Sequence, residues 1–129
     1  MRKKLTISKL RKKAWKIFSE WVRKRGANKD GVNTCVTCGV KKHWKEFHAG
    51  HFIHGHTKPT FFMEENVHPQ CVKCNHFLSG NLIEYYHFMV EKYGYTQVEE
   101  MRHISHDVVK LPRDYYEIII DRYKVDANS

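Results

Sequence analysis

The sequence predicts a small α+β domain stapled by zinc, with short strands at its centre and helices on either side. Two Cys-x-x-Cys pairs, Cys35 with Cys38 and Cys71 with Cys74, are the economical donor set for one tetrahedral ion, because two intervening residues let both thiolates of a pair reach a zinc at roughly 2.3 Å. Residues 39 to 70, which separate the pairs, exceed the roughly 15 to 20 residues of a plain zinc ribbon, and histidines crowd their middle, so a further element is inserted there. Apolar residues recur at helical spacing before and after this segment. The 129 residues fit a single domain, 1–129, and a content of 41% hydrophobic and 13% aromatic residues is too high for disorder. The core is modest, and zinc is expected to supplement it.

Thr6 or Ser8 can cap a basic amphipathic helix over residues 6–25, with Leu10, Ala14, Ile17, Phe18 and Trp21 as its apolar stripe and Gly26 as its stop. Residues 26 to 33, rich in Gly, Asn, Lys and Asp, read as a surface connection. Cys35-Val-Thr-Cys38-Gly39 is the first zinc knuckle, its glycine letting the backbone turn. A strand is predicted through Trp44, Phe47 and the histidine segment, then a loop over 55–59 and a return strand over 65–69. Asn81-Leu-Ile-Glu84 resembles a capping box, with Asn81 as the cap of a helix to Tyr93 that carries Leu82, Tyr86, Met89, Val90 and Tyr93 on one stripe. Thr96-Gln-Val-Glu99 is a second capping box for a short helix. Pro112 suits the first position of a last helix, which buries Tyr116, Ile119, Ile120 and Tyr123 before a tail expected to fray beyond Val125. The zinc-stapled core thus spans 33–94, with the C-terminal helices in 95–126.

The formal net charge is +9, and its placement says more than its size. Eleven of the 23 Lys and Arg residues fall in the first 25 positions, opposed there only by Glu20, whereas from Tyr95 onward seven acids face five Lys and Arg. Such polarity suits a polyanion docking on the N-terminal side, with Lys9, Arg11, Lys12, Lys13 and Lys16 as phosphate contacts and Lys73 as another. A solvated face is the plain alternative. No apolar run approaches the roughly 18 residues of a membrane span. Lys9, Arg11, Lys12 and Lys13 interrupt any export-signal core after Met1-Arg2-Lys3-Lys4, so a cytoplasmic protein is expected, with paired thiols serving as metal ligands rather than disulfides.

Between and just after the cysteine pairs the order His51, Asn66, Asn75 stands out, with Gly50 before the histidine and Cys74 before the last asparagine. Ala49-Gly50-His51-Phe52, Asn66-Val67-His68-Pro69-Gln70-Cys71 and Cys74-Asn75 through Ser79-Gly80-Asn81 resemble the NinG (Rap) recombination endonucleases of lambdoid phages, over about residues 33 to 94. More widely they resemble the HNH, or His-Me finger, nucleases in their Asn-ending form. The resemblance implies a treble-clef zinc domain with a ββα-metal, HNH-like site. It further implies endonucleolytic hydrolysis of DNA to a 5′-phosphate and a 3′-hydroxyl, branched recombination intermediates such as Holliday junctions and D-loops as substrates, and a phage-infected or lysogenic bacterial cell. It also implies that Asn66 ties the hairpin backbone together and so holds the base in place; an ordinary turn asparagine is the alternative.

Cutting a phosphodiester needs an activated water and stabilisation of the leaving oxygen. The imidazole of His51, with an ordinary pKa near 6.5, can take the proton from water at neutral pH. Asn75 can present its carboxamide oxygen to a cation from a backbone that zinc fixes at Cys74. Many HNH sites carry an Asp immediately before the base, where this chain has Gly50. His48 is the first candidate to replace it, with His54 and His56 behind, and because His48 and His51 face opposite ways in a regular strand this requires a bulge at Ala49-Gly50. Such ligands suit Mn²⁺ better than Mg²⁺, but Mg²⁺ is abundant, so the catalytic cofactor is written as Mg²⁺ or Mn²⁺ beside the structural Zn²⁺. The implied partner is DNA, without a membrane, and a homodimer cutting both strands is left open. The rival reading is a non-catalytic zinc-binding DNA module. A Cys/His-rich protein-interaction module, the third, has no need of the basic first helix.

Overall fold

The computed structural model describes residues 4–128, with side chains through Lys124. Helix α1 (Ile7–Lys24) begins where the Lys9 amide donates to Thr6 Oγ1 at 3.2 Å, so Thr6 rather than Ser8 caps it. Leu10, Ala14, Phe18 and Val22 recur every four residues and are buried, with Ile17 and Trp21 at the margin of the same stripe. They meet Tyr116, Ile119, Ile120 and Tyr123 of the last helix together with Ala49 and Val67 of the central hairpin. The two terminal helices therefore pack on one another across one face of that hairpin, and the basic helix is part of the core rather than an appendage.

Two short antiparallel ladders follow. Strands β1 (Val32–Thr34) and β2 (Lys41–His43) bracket the first knuckle, and the Asn33 carboxamide fastens them to the end of α1 by donating to the carbonyls of Arg23 and Arg25, both at 2.9 Å. Trp44 lies in a 3₁₀ turn, Trp44–Glu46, and not in a strand as predicted. Strand β3 (Phe47–His51) pairs with β4 (Val67–Cys71) in the register Phe47↔Cys71 to His51↔Val67. The return strand starts two residues later than predicted because Glu64–Asn66 form another 3₁₀ turn. The register is unbroken, so the bulge proposed at Ala49-Gly50 is absent.

Beyond β4 the chain makes a π-helical turn, Lys73–Phe77, and then α2 (Leu82–Tyr93) and α3 (Tyr95–Ile104), which close a second core of Phe52, Tyr85, Met89, Val98 and Met101. Neither predicted capping box forms. Asn81 adopts a left-handed conformation, φ +48°, and its amide reaches back to Cys74 Sγ at 3.6 Å instead of capping α2. Helix α3 starts at Tyr95, directly after Gly94, leaving Thr96 inside it. The buried stripe of α2 is centred on Tyr85 and Met89, while Leu82 is exposed. Helix α4 (Arg113–Asn128) follows Pro112 as predicted, and the fraying expected beyond Val125 concerns side chains that, with the whole of Ser129, lie outside the described residues. Among the described residues no helix is long and apolar enough to cross a membrane.

Candidate active site and metal centre

The knuckle after β1 and the turn after β4 bring the four cysteines together, all unbridged, with their sulfurs within 4.8 Å of one another. Cys38 Sγ and Cys71 Sγ are 3.7 Å apart, close to the roughly 3.8 Å separating two sulfurs held about 2.3 Å from one tetrahedral ion. The Cys74 amide and the Asn81 carboxamide donate toward Cys71 Sγ and Cys74 Sγ, as thiolates require. The cluster fits a metal ion and is consistent with structural zinc. Because Cys71 faces Phe47 across the hairpin and Cys74 opens the π-helical turn, such an ion fixes that turn relative to β3.

A cavity of about 620 Å³ runs beside β3, lined by Trp15, Ser19 and Arg23 of α1, by His48 and His51 of β3, and by Asn75. The hairpin has only two strands, so the edge of β3 away from β4 is open. His48 and His51 stand three residues apart on a regular strand, yet both line one cavity, and no bulge is needed. His54 joins them; His56 is exposed and does not line the cavity.

His51 is held on three sides. Its ring stacks on Trp15 (centroids 4.8 Å apart) and on Phe61 (4.5 Å), and its Nε2 lies 2.9 Å from the Phe61 carbonyl. A carbonyl only accepts, so Nε2 carries the proton and donates it, which leaves the Nδ1 lone pair as the acceptor. Burial pushes this imidazole down to about 4, against the raising effect of the Phe61 carbonyl and with His54 lowering it further, so it is neutral at physiological pH. Across the strand, Asn75 Nδ2 and His48 Nδ1 are 2.9 Å apart. The carboxamide NH₂ only donates, so His48 Nδ1 accepts, and the lone pairs outside this contact are those of His48 Nε2 and Asn75 Oδ1. Among the described residues no carboxylate lines the cavity.

Asn66 is absent from the cavity. It is fully buried, donating from Nδ2 to the carbonyls of Ile53 and Thr60 and accepting from the Ile53 amide at 2.8 Å, so it closes the loop between the strands. It acts on His51 only through the backbone. A second set of bonds holds the residue before His51. Tyr85 donates its hydroxyl proton to the Gly50 carbonyl at 2.7 Å, so it must accept from His68 Nδ1, and His68 Nε2 in turn accepts from the Tyr93 hydroxyl at 2.8 Å.

Burial pushes His68 down to about 3, with Arg25 and Lys92 adding repulsion. The unfolded chain protonates this residue near 6.5 and the folded one near 3, so its neutral form contributes stability that is complete above 6.5 and lost as pH falls toward 3. A His68→Gln variant should therefore show a lower urea midpoint than the native protein at pH 7.5 and a flatter decline between pH 7 and pH 5.5. Equal slopes would exclude His68 as the titrating group.

Gly50 departs from the expected Asp for a steric reason. A Cβ there would lie 1.9 Å from Gln70 Oε1, in the volume filled by the Gln70 side chain. Gln70 is buried and ties the two knuckles by donating to Thr37 Oγ1 and the Gly80 carbonyl, while its Oε1 has no hydrogen-bond partner among the described residues. Gly50→Ala should destabilise the fold by about 1–3 kcal/mol through overpacking. Gly50→Ala should cost less in a Gln70→Ala background than in the native one, and equal costs from the urea midpoints of the native, single and double variants would show that the clash is not the cause.

The basic residues predicted to meet DNA divide by helical geometry. Lys12 and Lys16 project on the side of α1 that carries Trp15, Ser19 and Arg23; Lys9 and Arg11 flank it, and Lys13 points about a third of a turn away. Lys73 is exposed on the π-helical turn beside the site. Trp15, Arg23 and Lys45 also line the cavity, and sequence reasoning did not single them out for it. The one signal for Trp15 was its place one residue past the apolar stripe.

The family model described as bacteriophage lambda NinG protein matches residues 2–129. The chain belongs to the NinG family. Among curated NinG relatives, "Protein ninG" of Salmonella phage P22 is 34% identical over 101 residues, covering 72% of this chain and 49% of the relative. "Protein ninG" of Escherichia phage lambda is 33% identical over the same length and shares, and that of Escherichia phage 933W is 33% identical, covering 72% of this chain and 50% of its own. The chain spans about half the length of the curated NinG relatives it matches. No solved structure matches it.

Proposed function

We propose that this NinG-family chain is a metal-dependent DNA endonuclease of phage recombination, an HNH-type phosphodiester hydrolase on a zinc-stapled treble-clef, or ββα-metal, domain. One observation carries the reading: His51, neutral and with Nδ1 as its only acceptor, shares a cavity with the touching pair His48 and Asn75. His51 takes a proton from water at Nδ1 while the Phe61 carbonyl holds the opposite edge of the ring, so the new charge is met by a hydrogen bond already in place. Trp15 and Phe61, themselves in contact at 5.2 Å, pack against the ring from adjoining directions and fix its plane. His48 and Asn75 would hold the divalent cation, Mg²⁺ or Mn²⁺, which supplies charge stabilisation to the leaving oxygen. Asn66 and Tyr85 position the strand and touch no reacting atom.

Branched DNA, such as Holliday junctions and D-loops, is the substrate class this reading takes from its family. Purified protein is incubated with matched linear and four-way junction DNA in EDTA, Mg²⁺ or Mn²⁺, beside a mock purification. Ion-dependent cutting with preference for the junction is the expected result. Binding without cutting under every ion replaces the nuclease with a non-catalytic zinc-binding DNA module.

A further inference from the structure

The indole of Trp44 gathers cations. Arg23 Cζ lies 5.4 Å from its ring centroid, Lys24 Nζ 4.9 Å and Lys45 Nζ 5.8 Å. Lys24 is matched by Glu20 at 3.4 Å. Arg23 and Lys45 form no ion pair among the described residues, and both line the cavity that holds His48 and His51. Arg23 is further braced by donating from Nε to the Ser19 carbonyl at 3.3 Å. Arg23 and Lys45 both lie over the Trp44 ring and line a cavity wall that carries no carboxylate among the described residues. Although Glu20 offsets part of the Arg23 charge, an anion between the two cations relieves their repulsion.

We propose that Arg23 and Lys45, braced on Trp44, form a phosphate subsite that fixes the register of the DNA strand in the cavity. This rests on the nucleic-acid part of the reading above and not on cleavage. Arg23 stands two helical turns beyond Trp15, which stacks on His51, so the subsite lies about 12 Å along α1 from the ring of the base. At roughly 3.4 Å of rise per nucleotide along one strand, it receives a backbone phosphate about three or four nucleotides from the one at His51. Lys12, one turn on the other side of Trp15, meets the strand where it leaves in the opposite direction. The pair is braced on Trp44, and Arg23 also on the Ser19 carbonyl, which makes it the element that sets register.

The test measures binding in EDTA, by fluorescence anisotropy, of a four-way junction and a linear duplex carrying a single neutral methylphosphonate scanned along one strand. Native protein should lose affinity at one methylphosphonate position in particular. In Arg23→Gln/Lys45→Gln, which keeps the stems packed on Trp44, the penalty at that position should vanish, and the slope of log affinity against log salt should fall by about 0.9, the value for one lost phosphate contact. Lys41→Gln/Lys42→Gln, on the exposed β2, should leave the position-specific penalty in place. A penalty that persists in the Arg23/Lys45 variant, or an unchanged slope with the variant folded by circular dichroism, overturns the proposal. If the native protein binds with this pattern but cuts nothing in Mg²⁺ or Mn²⁺, the nuclease falls and the subsite stands; if it cuts but shows no coupling, the reverse holds.

Discussion

Replacing His51 with alanine should lower the single-turnover rate of DNA cleavage on the order of 10²- to 10⁴-fold, with DNA affinity and metal content unchanged. The loss is confined to the chemical step because no other group in the cavity offers an acceptor nitrogen in the same setting: His48 Nδ1 is engaged by Asn75, and His54 is exposed. The ring also packs against Trp15 and Phe61, so alanine removes stacking and strands the Phe61 carbonyl. His51→Gln separates the two effects, since its amide can still donate to that carbonyl while offering no basic nitrogen. Rate loss in both variants, with a normal melting transition in the glutamine variant, assigns proton transfer to His51. Native rates in the glutamine variant would remove the base from the mechanism. Asn75→Ala should differ in kind, raising the divalent-ion concentration needed for half-maximal rate.

Changing Cys35 or Cys71 to serine should unfold the central hairpin. Cys35, Cys71 and Cys74 are buried with Phe47 in a cluster separate from the two larger cores, so little besides a metal ion holds that end of β3 against the π-helical turn. Structural zinc in small domains contributes roughly 10 kcal/mol or more, which exceeds the whole stability of many domains this size. Expected are one zinc per native chain by metal analysis, and loss of both the ion and the cooperative thermal transition in either variant. A metal-free native protein with an intact transition would show that hydrophobic packing suffices.

How much of this was legible in the sequence depends on whether the deciding interaction was local. The α1 stripe could be read because burial at Leu10, Ala14 and Phe18 follows from periodicity alone. The cysteine cluster could be read because its spacing encodes geometry. Strand β2, Lys41-Lys42-His43, has no apolar alternation and was invisible. Tyr85 displaced Leu82 from the buried stripe of α2 because its hydroxyl finds the Gly50 carbonyl and His68, partners set only by the fold. Asn81 holds the N-cap position of α2 as read, but its side chain goes to Cys74 Sγ rather than to the helix amides, a partner set by the fold. At the site, the candidates His48, His51 and Asn75 share one cavity without the bulge thought necessary, since an open strand edge was not foreseeable from the residues of one strand. The Gly50–Gln70 contact and the gathering of Arg23 and Lys45 on Trp44 cross between elements, and no pattern within one element announces them.

The cavity wall without a carboxylate has a consequence for the order of events. With a side chain that carries no negative charge at either His48 or Asn75, and with Arg23 and Lys45 facing the same space, a lone divalent cation would gain little attraction and meet repulsion. A DNA phosphate reverses that balance, because it is drawn by the fixed cations and offers its own oxygens to the ion. Linkage then makes ion and strand each strengthen the other's binding by the same factor. On the proposed reading, the working ion would arrive with its substrate, and the protein without DNA would be disarmed until a strand lies in place.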